Sequence, residues 1–389
     1  MELVPRLGSG IPLVARVAEM DRLRASLARA EVGVAGAVLV SGDAGIGKSR
    51  LVEELGRTAT SRGGIVLTGR CLDVGETGLP YLPFVEILVY LNRQDPAAVR
   101  RWPALARLLP ESNMPARPEP ATTTTRPGGS NAAPERDLGQ LQLFDALFTM
   151  LADLSSDRCV VLIVEDLHWA DPSTRDLLSF LVSRLRNQRL LVVGSYRGDD
   201  LHRRHPLRPL LAELVRLPAV ERIDLEPFDE ADSRRFVAAL AEEPVPDDVI
   251  RQIAERSEGN AFFAEELMAA HADCDGVPTA LADVLLARIE RLSPKTQNVV
   301  RLASVAGRRV RHSVLQAVTD LSPVDLDDAL REAVQHHVLL VDDRGDRYAF
   351  RHALLREAVY ADLLPGERAR MHSAYAKYIA TTESRRGMA

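Results

Sequence analysis

A chain of 389 residues is long enough for two or three domains with cores of their own, and 46% hydrophobic with 27% charged content is that of an ordinary globular protein. A net charge of -6 and a pI near 5.9 argue against a broad basic surface for non-specific nucleic-acid binding. Three scattered cysteines, Cys71, Cys159 and Cys274, with no C-x-x-C spacing exclude a disulfide framework and fit a reducing cytoplasm, and no apolar run has the length of a membrane span or a signal core.

Residues 1–30 form an N-terminal segment. The apolar run Ala37 to Val40 then leads into Gly42-Asp43-Ala44-Gly45-Ile46-Gly47-Lys48-Ser49, a full match to G-x-x-x-x-G-K-[ST] placed between a strand pattern and an amphipathic helix pattern. Glycines let the backbone wrap an anion, Lys48 reaches the β/γ oxygens of a nucleoside triphosphate, and the Ser49 hydroxyl suits Mg²⁺. Lys48 is one of only three lysines against 46 arginines. Further strands are expected near Ile65 to Thr68, Cys159 to Val164, Leu190 to Ser195 and Ile223 to Leu225. Their alternation with helical stretches predicts an α/β fold with a parallel sheet over residues 31–226, and the wholly apolar third run is assigned to its centre. Residues 110–134, rich in Pro, Thr, Gly, Asn and Ala, read as a disordered loop inside this domain.

The strand Val160 to Val164 runs into Glu165-Asp166, two carboxylates at the C-terminal end of a parallel strand, where open α/β sheets bind ligands. One can hold Mg²⁺ while the other orients the attacking water; by itself the pair reads equally as a helix cap or a solvated pair. Asp171-Pro172 marks a helix start, with Leu177, Leu178, Leu181 and Leu185 as its apolar stripe. His168 and Trp169 read as structural residues of the strand-to-helix loop rather than a proton shuttle and a stacking platform. Residues 227–285 read as a small helical lid with Asp229 as an N-cap. Residues 286–350, helices followed by a hairpin about Asp342 to Asp346, read as a winged helix, and residues 351–389 as the start of a helical repeat region. His336-His337 has no ligand partners at metal spacing and reads as a solvated pair.

The runs GDAGIGKSRLVEEL, GRCLDVGETGLPYLPFVEIL, VEDLHWADPST, GSYR, IAERSEGNAFFAEEL and YAFRHALLREAVYADLLPGERARMH resemble the ATP-binding portion of the large LuxR-type bacterial transcriptional regulators. These are STAND P-loop ATPases, relatives of AAA+ proteins, and the matching motifs span Pro12 to Met371. The resemblance implies ATP/ADP and Mg²⁺ as ligands. It makes Lys48 and Ser49 the phosphate and metal residues, Glu165 the first acid of the Walker B pair, with Ser49 a metal ligand, and Asp166 the water-orienting acid. Arg197 falls where related NTPases sense the terminal phosphate, and reads otherwise as a solvated loop arginine. His352, in Arg351-His352-Ala353-Leu354-Leu355, resembles the histidine of an M-H-D-L-L motif that touches the ADP phosphate; its alternative is a core or helix-cap residue. Family motifs L-V-G-R-E and G-N-P read Leu13-Val14-Ala15-Arg16-Val17 and Gly259-Asn260-Ala261 here. The implied function is a slow, cytoplasmic ATPase switch, closed with ADP and open with ATP. A small-molecule or protein inducer and self-association in the ATP state go with it, without membrane contact or specific DNA binding by this chain. The alternatives are an origin-recognition-like AAA+ ATPase using its winged helix on DNA, or a truncated product acting through a partner.

Overall fold

The computed structural model describes residues 13–73, 79–95, 101–109, 132–202, 205–241, 244–270, 277–342 and 345–386. Two compact units divide the chain. One comprises Arg16–Asp43 and Lys48–Leu225; the other comprises Glu226–Ala389 with Met1–Ala15 and the loop residues Ala44–Gly47.

The first unit is a five-stranded parallel sheet, β1 (Gly36–Gly42), β2 (Ile65–Arg70), β3 (Val160–Glu165), β4 (Leu190–Arg197) and β5 (Val220–Leu225), in the order β2-β3-β4-β1-β5. The helices are α1 (Val17–Glu31), α2 (Lys48–Ser61), α3 (Leu82–Gln94), α4 (Pro103–Ala106), α5 (Ala132–Leu154), α6 (Pro172–Ser183) and α7 (Leu207–Leu214). Every β-branched run named from the sequence lies within or against an observed strand. The parallel α/β fold is therefore as expected, but β4, not the wholly apolar β3, is the middle strand. β3 is buried at all six positions nevertheless. A strand one place in from the edge is covered on both faces when helices pack on each: Val160, Leu162 and Val164 join the core formed with α3, α5, α6 and α7, while Val161 and Ile163, equally buried, point the other way toward the α1–α2 side.

Most of the segment expected to be a disordered loop lies outside the described residues, but its end, 132–134, is the first turn of α5. Two alanines favour helix there, and Pro134 is tolerated because first-turn amides have no intrahelical acceptor. α6 starts as read, with the Asp171 carboxylate accepting the Thr174 N–H at 3.1 Å and Leu177, Leu178, Leu181 and Leu185 buried.

The second unit contains α8 (Glu230–Leu240), α9 (Asp247–Ser257), α10 (Ala261–Ala269), α11 (Thr279–Glu290), α12 (Pro294–Ala306), α13 (His312–Val318), α14 (Pro323–Gln335), α15 (Ala353–Asp362) and α16 (Pro365–Arg386). It also contains three short strands, β6 (Arg309–Arg311), β7 (Leu339–Val341) and β8 (Arg347–Phe350). Asp229 caps α8, accepting from Asp232 N–H at 2.7 Å. The expected hairpin is β7–β8, but it is the half of a three-stranded antiparallel sheet, β6-β8-β7, that three residues of Arg-Val-Arg could not announce. A single core runs through this unit from Val237 to Val359.

Gly69 in β2 is where the sheet and α3 meet most closely. A Cβ at that position would lie 2.1 Å from the Pro83 carbonyl oxygen, so the backbones touch and no side chain fits. Gly69→Ala should cost about 1–3 kcal/mol by overpacking, read as a lower urea midpoint at unchanged slope; an unaltered midpoint would mean that the contact yields without cost.

Candidate functional site

The loop after β1 provides the phosphate cradle. Gly42, Gly45 and Gly47 have φ of 153°, 78° and 103°, conformations in which the last two favour glycine, and a Cβ at Gly47 would meet nothing within 4 Å. Asp43 and Ala44 line the same turn half-buried, and Ile46 is buried and anchors it. Lys48 opens α2 with only 7% exposure; its ammonium donates to the carbonyls of Gly42 at 2.9 Å and Asp43 at 2.8 Å. Burial pushes its pKa from 10.5 down to about 8, opposed by Asp199 and aided by Arg197. Ser49 follows on the exposed side of the helix start.

The Ala44–Gly47 stretch, part of the second unit, is hydrogen-bonded within that unit. Asn260 N-caps α10 through its Oδ1, which accepts Phe263 N–H at 3.3 Å, while its Nδ2 donates to the Ala44 carbonyl at 2.9 Å; the Phe262 N–H donates to the Gly45 carbonyl at 3.0 Å. Gly259, with φ 77°, lets the Asn260 turn approach Phe228, whose carbonyl a Cβ would meet at 2.4 Å. Gly259 and Asn260 thus join this turn to the Ala44 carbonyl with Ala261 in the next position.

The acids are set by strand register. Glu165 ends β3 opposite Arg70, which ends β2, and β4 carries Arg197 opposite Gly42 of β1. Glu165 is buried and accepts from Arg70 Nη2 at 2.7 Å, with Arg70 Nε 3.9 Å from Asp166. Asp166 sits in the left-handed region at φ 57°, and its N–H donates to Ser195 Oγ at 3.2 Å. Gly194 makes room for this turn, since a Cβ there would lie 2.6 Å from Leu167. Strain of this kind in a non-glycine residue is retained where the surroundings over-determine it, as at ligand sites.

His168 is buried behind the acids. Its Nδ1 lies 3.4 Å from Arg197 N–H as acceptor and its Nε2 is 3.5 Å from Asp200. Burial, then Arg197 and Lys48, push its pKa down to about 3, so the ring is neutral and ties β4 to the acid loop, the structural role its position indicated. Arg197 itself pairs with Asp200 at 3.6 Å. Sequence reasoning missed Arg70, Ser195, Asp199 and Asp200. The last two directly follow GSYR-Gly198, and Asp199, buried, is the charge that most supports the Lys48 ammonium. Arg70 lies in the quoted run GRCLDV, but only the strand register shows that it meets Glu165. His352 lies with its Nδ1 3.5 Å from Glu258 and its ring edge-on to Phe263 at 5.3 Å. Burial works against charge on Glu258, but the His352 hydrogen bond and Arg308 outweigh it and hold its carboxyl below the ordinary range.

This donor set fits a Mg²⁺ nucleotide. A buried ammonium inside a glycine loop suits an anion, and Ser49, Glu165 and Asp166 supply hard oxygen ligands. Among the described residues there is no cluster of three or more metal-binding side chains.

Residues 12–193 match the family model described as the AAA ATPase domain. An uncharacterised protein of Rhizobium meliloti is 26% identical over 98% of this chain, and the chain spans 38% of that relative's length. Among solved structures, a Walker-type ATPase of Pyrococcus abyssi aligns at 14% identity and TM-score 0.56, over 92% of this chain and 99% of that one. The Aeropyrum pernix ORC2 protein, solved as ADPNP-ADP complexes, aligns at 13% and 0.54 over 96% and 97%. At these identities the likeness is one of fold: that of a P-loop ATPase.

Because folding lowers the Lys48 pKa, between about 8 and 10.5 the unfolded chain holds a proton that the folded chain has shed. The cost of burying the charge therefore fades as pH rises through that window, and the ammonium needed for phosphate fades with it. Nucleotide affinity should fall above pH about 8, by at most about tenfold per pH unit. In Lys48→Ala it should already be lower by about ten- to a hundredfold at pH 7 and flat across the range. Equal pH profiles by calorimetric titration would remove Lys48 from the site.

Proposed function

We propose that this chain is the nucleotide-dependent switch of a LuxR-type regulator of the STAND class. In this reading it binds ATP or ADP with Mg²⁺ through Gly42–Ser49, Glu165 and Asp166, hydrolyses slowly in the cytoplasm, and responds to an inducer. The observation that carries the reading is the buried Lys48 ammonium held in a glycine loop beside strand-end carboxylates. Lys48 would neutralise phosphate charge, Glu165 and Ser49 would hold the metal, Asp166 would orient water, and Arg197 would meet the terminal phosphate. The bound cation would supply charge neutralisation on the phosphoryl oxygens.

Support for a switch, rather than a turnover enzyme, comes from the loop's own bonds. The carbonyls of Ala44 and Gly45 are held by Asn260 and Phe262, and Glu258, immediately before that turn, is held by His352 and Arg308. A ligand that reorganises the loop must alter that chain of contacts, so nucleotide state and the 258–263 segment are coupled. In the proposal, ADP favours the closed arrangement and ATP the open one, with self-association in the ATP state.

The origin-recognition alternative needs the β6-β8-β7 sheet and α14, read as a winged helix, to face DNA. α14 instead exposes Asp325, Asp327 and Asp328, with Asp346 in the adjoining turn. Carboxylates on the reading helix repel phosphates. This favours the regulatory reading.

Glu165→Gln should weaken Mg²⁺-dependent nucleotide binding, whereas Asp166→Asn should leave binding intact and suppress phosphate release; identical defects in the two would refute the division of roles. His352→Ala should weaken ADP more than ATP and increase self-association, by the loss of about one hydrogen bond, or roughly 1 kcal/mol. Light scattering with each nucleotide reads the mass, and parental behaviour in both measures would leave His352 a packing residue.

A further inference from the structure

We infer that Arg70 is a displaceable counter-ion that shares Glu165 with Mg²⁺ and so sets the free Mg²⁺ concentration at which nucleotide binding becomes metal-dependent. The inference rests on the reading of Glu165 as the metal-side acid.

The base of Arg70 is fixed. Its N–H donates to Glu86 at 2.8 Å, the next residue's N–H donates to the Glu165 carbonyl at 3.0 Å, and Gly69 before it is pressed onto Pro83. Only the side chain can move. Its guanidinium reaches both acids, 2.7 Å to Glu165 and 3.9 Å to Asp166, and the Glu165 hydrogen bond, outweighing partial burial, raises its pKa further. One cation therefore masks two carboxylates that would otherwise face an incoming triphosphate.

The two partners differ in exposure. The Glu165 side chain is 8% exposed and that of Arg70 is 54% exposed, so the arginine can be resolvated once another cation takes over the charge of Glu165, whereas the carboxylate cannot. Arg70 and Glu165 both line an open cavity of about 750 Å³ beside α2, so the pair faces free space, with Glu53 and Arg57 also on its wall. The guanidinium bonds Glu165 Oε2 at 2.7 Å, so a metal ion ligated by this carboxylate would share its charge with Arg70 and meet the repulsion of that cation. Metal ligation by Glu165 is therefore opposed by the Arg70 charge.

Opposite shifts in two measurements distinguish this role from a structural one. ADP affinity of the purified chain is measured in excess chelator and then across a Mg²⁺ titration, with thermal unfolding of the ligand-free protein as a check on folding. In Arg70→Gln the chelator-limited affinity should fall about three- to tenfold, because the acids are unmasked, and the Mg²⁺ midpoint should fall by a similar factor. Arg70→Lys, which keeps the charge without the fork, should lie in between and carries the test if the glutamine variant does not fold. An unchanged Mg²⁺ midpoint in the folded variant overturns the inference, as does a loss of affinity that is uniform at all Mg²⁺ concentrations. Glu165→Gln separates the two levels. If it leaves the midpoint unchanged, the metal-side reading of Glu165 fails; if it shifts the midpoint while the arginine variants do not, only the role of Arg70 fails.

Discussion

A lysine ammonium buried to 7% exposure must find compensation inside the protein, and the first unit is arranged around the place where Lys48 finds it. Two loop carbonyls accept from it directly, and Asp199, Asp166 and Asp43 surround it with negative charge against the opposing Arg197. These groups come from the ends of β1, β3 and β4, which meet only because β1 lies in register with β4 and β4 with β3. The compensation is incomplete, and the pKa near 8 measures the shortfall. An ammonium held short of full compensation gains from a phosphate in a way that an already satisfied one would not.

The same register explains why the acids need a counter-charge of their own. Parallel strands end together, so Glu165 arrives beside the end of β2, and the residue there is Arg70. The sheet edge and the acid pair are thus electrostatically one unit. His168, neutral and buried, contributes no charge to it; its Nδ1 accepts from the Arg197 amide and its Nε2 lies 3.5 Å from Asp200. Removing a cation or an acid from such a cluster leaves a buried partner unmatched, which is why its members are better read together than one by one.

The parallel sheet and the phosphate loop were legible because each has a local signature: β-branched runs of strand length, and glycines at fixed offsets from Lys48. β3 was misplaced by one strand because continuous burial reports two covered faces, a condition met anywhere off the edge. β6 was missed because three residues with one apolar side chain have no period to detect. Arg70, Asp199 and Asp200 escaped for another reason. Their roles depend on which strand ends lie side by side, and lying in or next to a motif run does not say that Arg70 meets Glu165 across 95 residues.

In the second unit the charges are mixed. α14 carries Asp325, Asp327 and Asp328, of which Asp325 pairs with Lys295 and Asp328 with Arg331, while β6 exposes Arg309 and Arg311. Arg308 pairs with Glu258. Glu258 in turn sits in the left-handed region directly before the Gly259-Asn260 turn, and its carboxylate gathers Arg308, His352 and the Ala353 amide. A carboxylate with three partners drawn from distant positions in the chain fixes that turn more firmly than backbone bonds alone. These bonds hold the 258–263 segment within the unit.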